Sequence, residues 1–385
     1  MNGGRTIKKV LIYSEDHEAY LQSFITLLRM VGDMEIIVAT AQKRIDYMLK
    51  TNPRFYSSIK FVGLMDRCSI RTSPSKAIYN VTTNYNSIQE AFRTNKPEVF
   101  IVMEMYDEML KFLLSHDLNF KNVKKVLTIH NIHQYLKVND NDAEKYGLKN
   151  VRLKKYQNRF MRKFDKYTVM DGNVKMFLMN CYKINAEVLP YKVTNSEFIR
   201  KRYEFLSISK REKPRLLVPG AVQSSRRDYK KIIDTFSEIR DHPYELVFIG
   251  KIYESWVVEY AAEKKVKIKY IEDYLTEEEF NEEAIHSHFI LDFVPQHSPY
   301  GTLKVSGAQL DGFTLGVPIV VNKKEMVSEN GEFIYADNLT LTLQQILSDY
   351  EDGKYVEKYG LPALEKMKKN IPENYIETVR KLLEV

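Results

Sequence analysis

Short apolar runs rich in Val, Ile, Leu and Phe recur along the whole chain, each followed by a longer segment with helical periodicity. A strand that is apolar on both faces needs cover on both faces, which parallel sheets with crossover helices provide. The alternation therefore predicts an α/β protein. In the first half the runs fall at 8–13, 34–39, 59–63, 98–103, 124–129 and 166–170. In the second half they fall at 215–219, 244–249, 266–270, 288–293 and 318–321.

A chain of 385 residues is long for one hydrophobic core, so two domains are expected. The segment 194–213 carries the charged run Ser207-Ile208-Ser209-Lys210-Arg211-Glu212-Lys213 and no strand-helix series. We place the first domain at 1–193, the second at 205–371, and a charged helical segment at 372–385. Thr276 followed by Glu279 reads as a capping box opening a helix.

Two cysteines, Cys68 and Cys181, supply neither a disulfide framework nor a metal cluster, which fits a reducing cytoplasm. No run is long enough to span a membrane, and the strand pattern beginning at Lys8 leaves no room for a signal peptide. A net charge of +7 admits an anionic ligand without demanding nucleic acid, and no nucleic-acid motif accompanies it. The segment 152–166 is basic and amphipathic, with Leu153, Tyr156, Phe160 and Phe164 on one helical face. It reads as a helix packed on the first sheet; peripheral contact with an anionic membrane is the sharper alternative. His130 with His133, and His286 with His288, lack the companions a metal site needs, so no metal is expected.

The most informative stretch is 292–321. A strand leads into a polar glycine-bearing loop, then a short helix opens at Ser306-Gly307 and stops at Gly316-Val317-Pro318. Lys304 precedes the helix and Asp311 lies inside it, so a cation, free N–H groups and a carboxylate converge on one crevice. That set suits a phosphate and a sugar hydroxyl pair. A second loop of this kind follows the strand ending at Pro219-Gly220, with Arg226-Arg227 at the start of the next helix. Two arginines there oppose the helix dipole unless an anion sits between. No GxGxxG follows the first strand and no GxxxxGK[ST] occurs, which argues against a dinucleotide dehydrogenase and a P-loop kinase. Glu15 and Asp16, ending the first strand, are placed on the acceptor side.

In order and spacing these loops resemble the donor domain of family 4 GT-B glycosyltransferases. The likeness runs through Leu216-Leu217-Val218-Pro219-Gly220, Arg227-Asp228-Tyr229-Lys230-Lys231, Leu246-Val247-Phe248-Ile249-Gly250 and Phe289 to Pro295, closing with Asp311 to Val321. In the first half, Val126 to Asn131 looks like the family's histidine-ending strand, and Val188-Leu189-Pro190-Tyr191 like its interdomain strand and turn.

The resemblance implies two Rossmann-like domains facing each other across a cleft, with the C-terminal helix crossing back to the first. It also implies transfer of a sugar from a nucleotide-diphosphate sugar to a glycan or lipid-linked acceptor, with retention of configuration and no metal or cofactor. Carried over by position, Arg227 and Lys304 hold the diphosphate and His130 faces the donor sugar. Gly220, Arg226, Ser306 and Gly307 complete the donor loops. Asp311 takes the second glutamate of the EX7E signature, which holds the ribose; the first falls on Leu303, so the pair is incomplete. That gap keeps two alternatives open, a catalytically silent GT-B-like binding or scaffold protein and a sugar-nucleotide epimerase.

Overall fold

The structure is a computed structural model. It describes residues 8–384 apart from 16, 70, 106–108, 111, 114–115, 117–121, 137–140, 142–143, 145–159, 209–211 and 272–274. Two parallel sheets organise it. The first contains β1 (Lys8–Ser14), β2 (Met34–Ala41), β3 (Lys60–Leu64), β4 (Val99–Glu104), β5 (Lys124–Thr128), β6 (Lys166–Val169) and β7 (Glu187–Val188), in the order β3-β2-β1-β4-β5-β6-β7. The second contains β8 (Arg215–Pro219), β9 (Glu245–Ile249), β10 (Ile268–Ile271), β11 (Phe289–Asp292), β12 (Ile319–Val321) and β13 (Phe333–Tyr335), in the order β10-β9-β8-β11-β12-β13. The central strands β1, β4, β8 and β11 are buried almost throughout, as their continuous apolar character requires.

Each sheet reverses its winding once, between β1 and β4 and between β8 and β11. Chains leaving the strands on the two sides of such a point diverge and open a crevice at the carboxyl ends, where ligands of α/β folds bind. The apolar runs named above all form strands. Two further strands, β7 and β13, occupy sheet edges and are too short and half-exposed to announce themselves as apolar runs.

Several helix boundaries follow local chemistry. Thr276 and Glu279 form the reciprocal capping box of helix Glu277–Ile285. Helix Gly307–Leu315 begins after Ser306 and ends at Gly316 in the left-handed conformation (φ 63°). Helix Ile376–Leu383 buries Val379, Leu382 and Leu383 against helix Glu18–Val31 of the first layer. Lys8 Nζ donates to Leu383 O at 2.7 Å, and Lys381 pairs with Glu187 at 2.9 Å. The chain thus passes between the sheets twice, and the two passes are tied together. Thr194 N–H donates to Asn370 O, and Asn370 Nδ2 donates to Lys192 O, both at 2.9 Å.

Candidate functional site

Two loops from the second sheet and two from the first close around a cavity of about 270 Å³. Pro219, Gly220 and Ala221 leave β8; Tyr300 and Lys304 to Gly307 lead into helix Gly307–Leu315. Opposite them stand His17, after β1, and His130, after β5, with Tyr191 from the segment between the sheets. A wider recess of about 620 Å³, lined by Ile249, Gly250, Lys251, Tyr253 and Leu275, shares Gly220, Arg226, Phe280 and Asp311 with this cavity. Together they form one elongated cleft.

Gly220 ends β8 at φ 99°, a backbone that side chains rarely tolerate, and this turn carries the loop to the cleft edge. No atom lies within 4 Å of where a Cβ on Gly220 or Gly307 would stand. Both glycines line the cavity with no side chain between it and the backbone, although the Gly220 N–H itself donates to Ile249 O at 2.9 Å. Helix Gly307–Leu315 begins there with its positive dipole end, and its N-cap Ser306 makes no side-chain cap bond.

The adjacent arginines have different surroundings. Arg227 is buried, with Nη2 3.2 Å from Asp292 Oδ1, 3.4 Å from Pro219 O and 3.4 Å from Ser306 Oγ. It therefore ties the ends of β8 and β11 to the helix start, across the switch point of the second sheet. Burial pushes the Asp292 carboxyl up, against the pull of Arg227 and the Ser306 hydroxyl. Arg227 Nε still reaches no partner among the described residues. Arg226, by contrast, is exposed and lines both parts of the cleft. Lys304 lies on the same rim, its Nζ 5.2 Å from the centre of the Tyr300 ring.

Asp311, half-buried one turn into its helix, is pushed up to about 6. Burial is the main cause, Lys192 and Arg227 oppose it, and Glu277 and Asp292 add to it. Lys192, buried in the first interdomain pass, donates to Asn281 Oδ1 at 2.7 Å and pairs with Glu277 at 2.8 Å. Leu303 is fully buried and offers its carbonyl to Ile132 N–H at 3.0 Å, so no polar side chain stands at that position.

The structure brings His130, Gly220, Arg226, Arg227, Lys304, Ser306, Gly307 and Asp311 together around one cavity. Glu15 is elsewhere: its carboxylate accepts from the Tyr13 hydroxyl and lines a small separate cavity with Asp66 and Asn84. Asp16 lies outside the described residues, as does most of the segment 152–166. Sequence reasoning overlooked His17, Tyr191 and Lys192. His17 adopts the left-handed conformation (φ 61°), and its ring stacks on His130 with centroids 4.6 Å apart. No motif marks either property.

The cleft is closed on one side by contacts between the domains. Asn131 bridges to Lys304 as a short antiparallel pair. Asp171 Oδ2 accepts from Ser328 Oγ at 2.9 Å and from Asn330 Nδ2 at 3.2 Å, while its Oδ1 caps helix Gly172–Tyr182 through Asn173 N–H at 2.7 Å.

Whole-chain comparison with solved structures sets this architecture beside known ones. A lipopolysaccharide outer core galactosyltransferase, WaaB in its apo form, superposes with a TM-score of 0.61 at 12% identity over 98% of this chain and 99% of that one. The chain has the GT-B fold. A UDP-N-acetylglucosamine 2-epimerase shares this GT-B arrangement, with a TM-score of 0.57 at 16% identity over 98% and 96% of the two chains. So does an α-glucosyltransferase in complex with UDP and a 13-mer DNA containing a HMU base, at 0.54 and 11% identity over 99% and 100%. No family model and no curated protein matches the chain. None of the described helices of this GT-B chain is long and apolar enough to cross a membrane.

Proposed function

We propose that this protein transfers a sugar from a nucleotide-diphosphate sugar to a glycan or lipid-linked acceptor. The observation that carries the reading is the diphosphate cradle: the bare turn at Gly220, a helix N-terminus opening at Gly307, Arg226 and Lys304 on one wall of a single cavity. Breaking the bond between sugar and diphosphate leaves negative charge on the departing phosphate. Positive groups held in place beforehand stabilise that charge as it forms. Arg227 serves by position, holding the two loops in register through Asp292 and Ser306 rather than meeting the ligand alone. Asp311 receives the ribose hydroxyls, and the wider recess toward Ile249 and Tyr253 takes the nucleoside. The sugar then points at His130 and His17.

The likeness to a UDP-N-acetylglucosamine 2-epimerase favours a second reading, in which the same cradle holds the donor but no acceptor is used. A thermal-shift panel of UDP, GDP, ADP, CMP and TDP with their sugar conjugates tests the shared part. Saturation at a hundred times the dissociation constant adds about 2.7 kcal/mol, a rise of a few degrees at this size. One responsive nucleotide family supports the cradle; a flat panel overturns it. Release of a sugar altered at C2, in place of transfer, would favour the epimerase.

A further inference from the structure

We infer that a second cavity, of about 320 Å³ and lying behind the donor helix, binds a small zwitterion with an apolar body, such as an α-amino acid with a large apolar side chain. The inference goes beyond the glycosyl-transfer reading and does not rest on it.

The cavity lies between the domains, and both passes of the chain form part of its wall. Pro190, Tyr191 and Lys192 belong to the first pass and Asn370 to the second. Helix Gly307–Leu315 separates it from the donor cavity. Gly307 and Asp311 line the donor side, Phe313 and Thr314 line this one, and Leu310 lines both. Its volume falls in the range of small-molecule pockets, which gather at domain interfaces.

The walls are fixed from behind. Thr314 Oγ1 lies 3.1 Å from Lys192 O, and Asn370 Nδ2 donates to the same carbonyl at 2.9 Å. The Tyr375 hydroxyl donates to Asn370 Oδ1 at 3.1 Å. Phe313 meets Phe333 edge-on, with centroids 5.4 Å apart, and lies 2.3 Å from where a Cβ on Gly331 would stand. Phe313 and Tyr375 are thus held as they are and do not fold in to fill the space. With Met170, Val188 and Leu310 they give the cavity an apolar lining, which an apolar ligand body would take out of water.

The charges around that lining are of both signs. Lys192 is matched by Glu277 at 2.8 Å, and Lys366 by Glu332 at 3.4 Å. Two groups are left over. Lys369, just past helix Leu361–Lys368, and Glu329, between Ser328 and Asn330, are exposed and line the cavity. Neither side chain makes a hydrogen bond or ion pair among the described residues, so they do not neutralise each other. A ligand of one sign would meet one of the two as a like charge. A carboxylate and an ammonium on one apolar body satisfy both. Such a ligand touches Met170 and Val188 of the first domain and Lys369 of the second, so it holds the domains in this arrangement. It also shares Leu310 and Tyr191 with the donor cavity.

Isothermal titration calorimetry of the full chain with L-tryptophan, L-phenylalanine and L-leucine tests the site. The amide of each lacks the carboxylate, and the N-acetyl form lacks the ammonium. At least one amino acid is expected to bind, with its amide and its N-acetyl form each weaker by about fivefold or more. Lys369→Gln is expected to remove the preference for the acid over the amide. Glu329→Gln is expected to remove the preference for the free amine over the N-acetyl form. Both positions are exposed, so the variants keep the fold. Saturating UDP, GDP or ADP should leave the amino acid bound. Absence of binding by all three amino acids overturns the inference, as do preferences that survive both substitutions. Competitive displacement by a nucleotide would put the ligand in the donor cleft and overturn it equally. None of these outcomes bears on the donor cradle, which the nucleotide panel tests by itself.

Discussion

Asp292 has no exposed surface, and Arg227 is the cation that meets it at ion-pair distance. Removing one member of a buried pair leaves the other charge uncompensated, which costs about 3–5 kcal/mol. Arg227→Met is therefore expected to lower both stability and nucleotide affinity in chemical denaturation and calorimetry. Arg226→Met is expected to leave stability within about 0.5 kcal/mol and to weaken nucleotide binding, because its side chain is exposed on the cleft. Asp311 gives a pH test. Its carboxyl titrates at about 6 in the folded chain, above the ordinary aspartate value. The folded state then binds the proton more tightly than the unfolded one, so the stability it contributes is lost as pH rises from about 4 to about 6. Asp311→Asn should accordingly raise Tm at pH 8, and the gain should vanish as the pH is lowered toward 4. An equal gain at both pH values would contradict a half-buried, titrating carboxyl. Sequence reasoning selected this aspartate and both arginines but gave the diphosphate to Arg227. Which of two adjacent arginines turns inward depends on the phase of the loop entering the helix, and neither composition nor spacing encodes it.

At the scale of elements, turns carried more information than strands. Gly220, at φ 99°, and Gly316, at φ 63°, mark the turn after β8 and the end of helix Gly307–Leu315 because glycine is needed where the backbone turns left-handed. Gly220→Ala is expected to cost about 1–3 kcal/mol through the strain at φ 99° alone, since a Cβ there meets no neighbour. The same change at Gly307, with ordinary helical geometry and open space, should hold or raise Tm while weakening nucleotide binding. Strands that cross the buried centre were legible as apolar runs. β7 and β13 were not, because an edge strand of two or three residues shares one flank with solvent and needs little apolar character. His17 was missed for a related reason: handedness at a single residue is set by what packs around it.

At the scale of the molecule, the two domains touch through few polar contacts beyond the paired crossings. The Asp171 carboxylate holds the loop of Ser328 and Asn330, and the short bridge between Asn131 and Lys304 joins the histidine loop to the cradle. Hydrogen bonds of this kind contribute about 0.5–1.5 kcal/mol each. Ser328→Ala with Asn330→Ala, which leaves the helix cap of Asp171 intact, should weaken nucleotide affinity by about tenfold if the closed arrangement is the binding one. Small-angle scattering should show the variant expanded when free and compact again with nucleotide. An unchanged radius and affinity would mean that the Asp171 contacts do not set the domain arrangement.

Those crossings also impose an order of events during synthesis. The core of the first domain includes Val379, Leu382 and Leu383, which the ribosome reaches only after the whole second domain has been made. The second domain can close as soon as its own strands emerge, whereas the first must wait with helix Glu18–Val31 uncovered on one face. The half of the protein that is translated first is the half that matures last.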